Sequence, residues 1–564
     1  MVNVRSVATI LFLSGAGLAF GQQSSAEVTT PPVENKSPTI LPDKIPTTDD
    51  PVAGQATVSD GVPCDTCNTK GIGGGFDWSK HPRPEVLPRA GAFTIPGSGP
   101  GYYSAQDFFT GNFREKPPAF PYPPVIAQQS GSFNNDYRYL DKPDNTQTDF
   151  FDVLKRMHPT EDTMLTIGGQ HSIRFMNEPN ARLGTKDDNY ALYRNRVYAD
   201  FWYQDVFRVY GEFINAGSNG ANLPARPIDR NGADFLNLFV DVKVLEIDGT
   251  PAYVRAGRQE LLYGSQRLIS PLDWANTRRT FDGIKGFWHS DKIDIDAFFV
   301  RPVVINSTEY DKDNTNINFF GTWFQYRPKA GTSFDLYYLG YENKLIQQSP
   351  LDKGKDRPKG RQELHTFGSR LAGNEGQFLY DAEGMIQTGT FDGKDHLAYA
   401  WTAGAGWEFK NVPWRPQVWV YNDYASGTSN AKGDSNTFQQ LFPFGHYYFG
   451  YIDLVGRQNI NDVNVQLAAY PDNWITLLTQ FHHFTLAQSR DFLYNASGAT
   501  TRRDATGKAG TDVGNELDFL VNFHIDQHSD FMIGYSKFFA GDFIRNTKPG
   551  VDSELFYLMY NFRW

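Results

Sequence analysis

The most regular pattern in this chain is the alternation of apolar and polar positions from about residue 164 onward. In the segment 554–564 every second residue is apolar: Phe556, Leu558, Tyr560, Phe562 and Trp564. Tyr557, Asn561 and Arg563 fall on the other parity. A period of two is typical of a β-strand whose two faces meet different surroundings. The pattern therefore predicts a long series of two-faced strands.

Eighteen segments carry this alternation. They are 164–177, 190–204, 206–216, 234–245, 251–261, 281–289, 292–303, 316–327, 333–342, 364–372, 376–388, 396–409, 415–426, 460–470, 474–487, 514–525, 530–540 and 554–564. The links between them alternate in length. Links after even-numbered strands are short, such as Asp205 alone, whereas most links after odd-numbered strands are long, such as 427–459. All short turns then lie at one end, as in outer-membrane barrels.

A soluble β-sandwich is the main alternative, but it has no reason to sort its links by parity. Aromatic residues also concentrate near the predicted strand ends, including Trp202, Trp288, Trp414 and Trp474. In a membrane barrel such residues form the two interfacial girdles. We therefore predict an all-β fold: a transmembrane antiparallel β-barrel of about 18 strands over residues 160–564.

Composition narrows the class further. The 53 Lys and Arg residues against 64 Asp and Glu give a net charge of −11, which excludes a strongly basic nucleic-acid binder. Two cysteines exclude a disulfide scaffold. No apolar run near the roughly 18 residues of a membrane helix follows the N-terminus, which excludes a helical membrane protein.

Residues 1–21 have the features of a secretory signal peptide. Arg5 supplies the positive charge, 7–19 is apolar, and Ala19-Phe20-Gly21 places small residues at the cleavage positions. A buried strand or helix at the chain start is the alternative. The signal predicts export and, with the barrel, an outer-membrane location.

Residues 22–150 differ from the rest, since eighteen of the 33 prolines lie there. Proline prevents regular helix and ladder hydrogen bonds, so we predict a Pro/Gly-rich, largely irregular periplasmic arm. Cys64 and Cys67 form a lone CxxC motif in this arm. A zinc site needs two more ligands, and a redox role lacks the βαβ context, so a local disulfide is the favoured interpretation.

The inward faces of the predicted strands carry many charges. The basic ones are Arg174, Arg194, Arg196, Arg208, Lys243, Arg255, Lys285, Arg370 and Arg563, with acidic neighbours that include Asp200, Glu212, Asp241 and Asp381. Arginine grips planar carboxylates at two points, so a series of weak sites could pass a polyanion along the pore. Cross-strand ion pairs are the alternative. Arg194 and Arg196 are the best candidates for substrate contact, although Asp200 on the same face could neutralise them.

Two long motifs resemble the alginate export family of outer-membrane porins. The first reads VRAGRQELLYGSQRL from Val254 and continues as PLDWANTRRTFDG from Pro271. The second reads FQQLFPFGH from Phe438 and YIDLVGRQNI from Tyr451. With the strand pattern, the resemblance covers about 164–564, while the arm at 22–150 departs from the simpler members of the family.

This resemblance implies a barrel with an Arg-rich constriction, loops that plug or gate the pore, and passive export of an anionic uronate polysaccharide. The matching motif suggests pore-lining or loop-anchoring cations at Arg255, Arg258, Arg267, Arg278 and Arg279, with Asp273 and Asp282 as their partners. For Arg258, Asp273 and Asp282, a buried ion-pair cluster that fixes a long loop is an equal alternative. Arg258 shares its parity with Val254, so its inward placement requires a bend near Gly257.

No zinc-protease, nucleophile-elbow, Walker or dinucleotide motif occurs, so neither catalysis nor a metal or cofactor is predicted. The expected partners are an anionic polysaccharide or small anionic solutes, outer-membrane lipid, and assembly machinery that reads the C-terminal aromatic strand. Periplasmic export components are further candidates, and nucleic acid is not. A general porin for solutes such as sugar acids, and an adhesin or enzyme on a barrel scaffold, remain the alternative functions.

Overall fold

A computed structural model of the chain describes residues 75–82, 101–115, 131–142, 145, 148–344, 361–429 and 433–564. Eighteen long strands of its main sheet form the barrel wall: β1 Thr163–Glu178, β2 Asp188–Tyr203, β3 Phe207–Asn219, β4 Asn231–Ile247, β5 Thr250–Gln259, β6 Phe281–His289, β7 Ile293–Val304, β8 Ile317–Tyr326, β9 Ser333–Asn343, β10 Gln362–Glu375, β11 Phe378–Phe391, β12 Lys394–Glu408, β13 Gln417–Ala425, β14 Ile460–Asp472, β15 Ile475–Leu486, β16 Asp512–Asp526, β17 Ser529–Ala540 and β18 Ser553–Arg563. Each predicted strand corresponds to one of them, within a few residues.

The sheet closes on itself. Consecutive strands pair antiparallel along the chain, and β1 also pairs with β18 from Gln170 opposite Arg563 to Asn177 opposite Phe556. Closure leaves neither outermost strand with a free edge, which removes the aggregation hazard of an unpaired strand. The prediction of a closed, antiparallel 18-stranded barrel is confirmed.

The two faces of the wall differ as the alternation predicts. Outward positions are apolar and exposed, for example Phe299, Ile386 and Phe519. Inward positions are polar and buried, for example Asp381 and Gln387, both 0% exposed. Because charged side chains lie inside and apolar ones outside, the barrel has the distribution expected of a protein that meets lipid on its outer surface.

The connections also follow the prediction. At one end, called here the short-turn end, the links are 204–206, 248–249, 290–292, 327–332, 376–377, 409–416, 473–474 and 527–528. At the other, the long-loop end, they are 179–187, 220–230, 260–280, 305–316, 344–361, 392–393, 426–459, 487–511 and 541–552. Short turns face the periplasm in outer-membrane barrels, which assigns the long loops to the outside.

Two of the long loops fold back into the barrel. Nearly every residue of the first lumen loop, 260–280, is buried, and so is most of the second, 437–459. Trp274 of the first and Tyr447 and Phe449 of the second belong to the same apolar cluster as inward strand residues such as Met559. The core of the protein therefore lies inside the barrel, where the two loops meet.

The remaining elements are short. Small strands occur at Met157–Thr160, Lys312–Asp313, Phe492–Tyr494 and Thr500–Arg503, α-helices at Ala105–Thr110, Gly445–Tyr448 and Asp542–Thr547, and 3₁₀ turns at Trp78–Lys80, Ser132–Asn134, Arg138–Asp141, Phe150–Leu154 and Ala181–Leu183. Within the described ranges, no helix is long and apolar enough to cross a membrane.

Pieces of the predicted arm pack at the short-turn end. The indole of Trp78 donates to the carbonyl of Glu161 at 3.0 Å, and His528 lies 2.8 Å from the Asp149 carboxylate. Phe108 packs against Trp474 with ring centroids 5.5 Å apart. The predicted signal peptide at 1–21, and Cys64 and Cys67 with their predicted disulfide, lie outside the described residues.

Gly257 in β5 provides a test of the wall. Its φ is +126°, and a Cβ there would lie 2.3 Å from the carbonyl oxygen of Leu238. We expect Gly257→Ala to destabilise the barrel by about 1–3 kcal/mol, because an L-residue is strained at this φ. Urea unfolding, followed by the shift in gel mobility of the folded barrel, measures the loss. Gly384→Ala is the control, since nothing lies within 4 Å of its Cβ position; equal effects would contradict the prediction.

Candidate functional site in the barrel lumen

The inward face of β2–β6 holds a row of basic side chains, called here the basic wall: Arg194, Arg196, Arg208, Arg255 and Lys285. Strand register sets part of this row side by side. Arg208 lies opposite Asp241, Asp241 opposite Arg255, and Arg255 opposite Lys285. Because alternate residues of each strand face inward, these side chains form a band of charge around part of the lumen.

Each member of this band has a carboxylate partner. Arg255 Nε and Nη2 donate to the two oxygens of Asp241 at 2.7 and 2.8 Å, a two-pronged pair. Arg208 makes the same kind of pair with Asp200, at 2.7 and 2.8 Å. Lys285 Nζ lies 2.9 Å from Asp296. The alternative of cross-strand ion pairs is therefore realised at these positions.

Arg196 pairs with Glu212, its Nε donating to Oε1 at 2.8 Å, while its Nη1 donates to the side chain of Gln170 at 3.0 Å. Asp200, expected as a neighbour that could neutralise Arg194 and Arg196, pairs with Arg208 instead. The register explains this, because Asp200 lies opposite Tyr210, two residues from Arg208 on the same face. Pore contact by these residues remains a prediction.

A buried ion cluster holds the first lumen loop against the basic wall. Arg194 Nη2 donates to Asp273 Oδ1 at 3.2 Å, and its Nη1 donates to the backbone carbonyls of Asp273 and Ala275 at 3.0 and 3.1 Å. Arg278 bonds both Asp273 and Glu260. Burial lowers the pKa of Arg278, and the Glu260 carboxylate opposes that shift. Arg194, Arg278 and Asp273 therefore act together as loop anchors.

Arg267 connects the same loop to β10 and β11, away from the basic wall. Its Nη2 donates to Asp381 at 2.7 Å and its Nη1 to Glu383 at 3.0 Å, both on β11. Arg370 on β10 shares Asp381 at 2.8 Å. All four side chains are at most 8% exposed. Removing one of them would therefore leave its partner as an uncompensated charge in a low-dielectric interior.

The second lumen loop packs on the first. The hydroxyl of Tyr448 donates to the carbonyl of Ser265, and His446 stacks on Trp274 with ring centroids 3.8 Å apart. Trp274 also contacts Arg174 of β1, whose guanidinium carbon lies 3.7 Å from the centroid of the Trp274 ring. Burial lowers the pKa of His446, so its ring is neutral in this stack at neutral pH.

Two arginines at this loop–loop contact have no carboxylate oxygen within 4 Å among the described residues. Arg174 donates to the carbonyl of Trp274 at 3.0 Å. Arg279 donates to the carbonyl of Pro443 at 3.1 Å, and burial lowers its pKa to about 10. Both therefore keep a positive charge at neutral pH that no neighbouring carboxylate neutralises.

Arg258 and Asp282 lie elsewhere. Arg258 is opposite Leu238 and Asp282 in the sheet, and Leu238 is an exposed outward residue. The alternation continues unchanged through Gly257, so the bend required for an inward Arg258 does not occur. Arg258 donates to Asp282 at 2.9 Å and to the carbonyl of Asp311 at 2.9 Å. Of the two interpretations of this pair, these contacts favour the anchoring of a long loop, here 305–316.

Phe133, a residue of the arm, also lies in the site, and no pattern in the sequence predicts its place there. Its ring lies 5.1 Å from the guanidinium carbon of Arg255 and 5.7 Å from the ring of Tyr210. Its carbonyl accepts from Arg208 at 2.6 Å. Ser132 accepts from Arg196 at 3.3 Å. The arm thus covers the basic wall from the short-turn end.

No group of three or more potential metal ligands comes together in the described part of the chain. The residues brought together are instead guanidinium groups, carboxylates and aromatic rings. Several of these arginines hold a carboxylate, and Arg208 and Arg255 do so in the two-pronged geometry that a carboxylate ligand would use.

Comparison with known proteins gives three results. The model of a protein family described as alginate export matches residues 163–557. Among curated proteins, none matches this chain. Solved structures from Pseudomonas aeruginosa resemble it. OccD3 (OpdP) has 10% identity over 71% of this chain and 91% of its own, with a TM-score of 0.47. OccK8 (OprE) has 11% identity over 71% and 98%, with a TM-score of 0.47.

Proposed function

We propose a function that proceeds from one fact: this chain belongs to the alginate export family and forms an outer-membrane channel. The cargo that its interior fits best is an anionic polysaccharide of the uronate type, leaving the cell through the barrel. The observation that carries the proposal is the pair of unneutralised arginines, Arg174 and Arg279, at the contact between the two lumen loops.

A buried cation without a counter-charge is unfavourable, because it loses its hydration without gaining an ion pair. A uronate carboxylate that reached Arg174 or Arg279 would offset that cost. A neutral glycan offers no such gain. The loop–loop contact would therefore admit anions in preference to neutral chains of the same size.

The basic wall supplies the remaining steps of the path. Each of its arginines holds a protein carboxylate, the same chemical group that a polyuronate carries on every sugar. A passing carboxylate that replaced Asp241 or Glu212 would keep the guanidinium paired, but it would leave a buried protein carboxylate without its partner. Each exchange therefore has a cost, and the polymer is held only weakly. Sites of this kind bind weakly enough to release the polymer to the next site.

The test is single-channel recording in planar bilayers with the purified full chain. We expect anion selectivity, and block of the current by oligouronate but not by a neutral oligosaccharide of equal length. Equal block by both would overturn the proposal. Selectivity for small anions without oligouronate block would favour the second candidate, a porin for small solutes such as sugar acids.

The same recording tests the two arginines. We expect Arg174→Gln and Arg279→Gln each to weaken oligouronate block about fivefold, since one charge pair about 4 Å apart contributes roughly 1 kcal/mol at the dielectric constant of water. Arg301→Gln is the matched control, because Arg301 lies opposite Asp282 on the outward face. Unchanged block in both single variants would remove Arg174 and Arg279 from the path.

A further inference from the structure

A cavity of about 580 Å³ opens among the long loops, apart from the loop–loop contact. Its size is within the range of small-molecule sites, roughly 300–1,000 Å³. Strand register builds one of its sides: Ile317 lies opposite Asn343, Asn343 opposite Gln362, and Gln362 opposite Phe391. Amide and apolar side chains thus share one row across the ends of β8–β11.

The facing side comes from loops and has the same character. Gln439 and Phe492 line it, together with hydroxyl groups such as that of Thr437. The rings of Phe391 and Phe492 supply apolar surface on the two sides. The cavity therefore combines aromatic surface with amide and hydroxyl groups, unlike the charged basic wall.

Two of these amides have unused hydrogen-bonding capacity. The side chains of Gln362 and Gln439 make no hydrogen bond to any described residue, although the backbone of Gln439 bonds Gln387. An amide that lines a cavity in this way presents both a donor and an acceptor to whatever enters.

The charged residues of the cavity are largely engaged by the protein. Asp491 accepts from the hydroxyl of Thr437 at 2.5 Å and the backbone N–H of Thr428 at 2.9 Å. Asp313 pairs with Arg301 at 3.1 Å, and Arg503 Nε donates to the carbonyl of Arg490 at 2.8 Å. Lys394 Nζ donates to the carbonyl of Gly433 at 3.2 Å. Of the five charged lining residues, Asp434 alone makes no hydrogen bond or ion pair to a described residue, and it is exposed. The other groups left to recognise a ligand are mainly uncharged.

We infer that this cavity binds an uncharged sugar unit, as a monosaccharide or within a disaccharide. A pyranose ring has an apolar C–H face that packs on aromatic rings and a rim of hydroxyl groups that pair with amides. Phe391 and Phe492 match the first feature, and Gln362 and Gln439 match the second. The inference goes beyond polyuronate export and does not depend on it.

Binding is tested by calorimetry and saturation-transfer NMR on the full chain in nanodiscs. The probes are glucose, galactose, mannose, cellobiose and maltose, with glucuronate and galacturonate as charged counterparts. We expect saturable binding of at least one neutral probe and weaker binding of its uronate counterpart. Failure of every neutral probe to bind, or tighter binding of the uronates, would overturn the inference.

Substitution locates the site. Gln362→Leu with Gln439→Leu removes both free amides and should weaken binding roughly tenfold or more, as expected for two lost hydrogen bonds. Phe492→Ala tests the aromatic surface if the double variant folds poorly, and gel mobility reports the folding of each. Gln377→Leu, at the short-turn end, is the matched control. Affinity unchanged in both cavity variants would overturn the assignment, whereas oligouronate block, measured separately, reports only on the export proposal.

Discussion

Replacing Asp273 with alanine will release the first lumen loop and raise the single-channel conductance. The Asp273 carboxylate lies between Arg194 and Arg278, whose side chains are 2% and 0% exposed. Without it, Arg278 keeps Glu260 as its ion-pair partner, whereas Arg194 has no carboxylate oxygen within 4 Å among the described residues. Removing one partner of a buried ion pair costs about 3–5 kcal/mol. Because Asp273 takes no part in the strand ladder, this change destabilises the packed position of the loop rather than the barrel.

The measurement compares conductance in symmetric salt before and after the change. Asp282→Ala is the matched control, since it removes a carboxylate from the outward pair with Arg258 and leaves both lumen loops anchored. We expect its conductance to match that of the unaltered protein. If Asp273→Ala folds normally and conducts no better than the control, the ion cluster does not hold the loop in the conducting path.

Replacing Phe133 with alanine will expose the basic wall to the short-turn end. The ring is 8% exposed and lies between Arg255, Tyr210 and Phe239. Truncating a buried aromatic ring costs roughly 3–5 kcal/mol in a packed core, so the arm should detach from the wall more often. We expect faster block by oligouronate added from the short-turn side, with block from the long-loop side unchanged.

The rate at which block begins, measured from each side in turn, tests this. Phe150→Ala is the matched control, because Phe150 belongs to the same arm and is 83% exposed. Equal blocking rates for Phe133→Ala and the unaltered protein would show that Phe133 does not limit access to Arg208 and Arg255.

The alternation in the sequence predicts the barrel because alternate residues of each strand face two different environments, lipid and lumen. Phe519 and Glu516 belong to one strand, and their parities suffice to place one outside and the other inside. The link lengths predict which strands meet at which end. No part of this reasoning needs a contact between distant residues.

The lumen contacts needed information that parity does not contain. Arg194 finds Asp273 across 79 positions in the chain, and only the path of the first lumen loop brings them together. Parity also cannot distinguish a carboxylate partner from a cargo contact, so the pairing of Arg208 with Asp200, rather than Asp200 with Arg194 or Arg196, needs the structure. Phe133 lies in a proline-rich segment with no periodicity, and its position emerges only from the structure.

The seam between β1 and β18 has a consequence for the route that the protein takes to its membrane. Gln170 and Asn561 bond each other across 391 positions, so β1 lacks one of its two neighbours until the far end of the domain is available. During transit through an aqueous compartment, that strand carries open donors and acceptors beside apolar side chains, which is the state most prone to self-association. This topology therefore requires that β1 be protected from self-association until β18 closes the barrel.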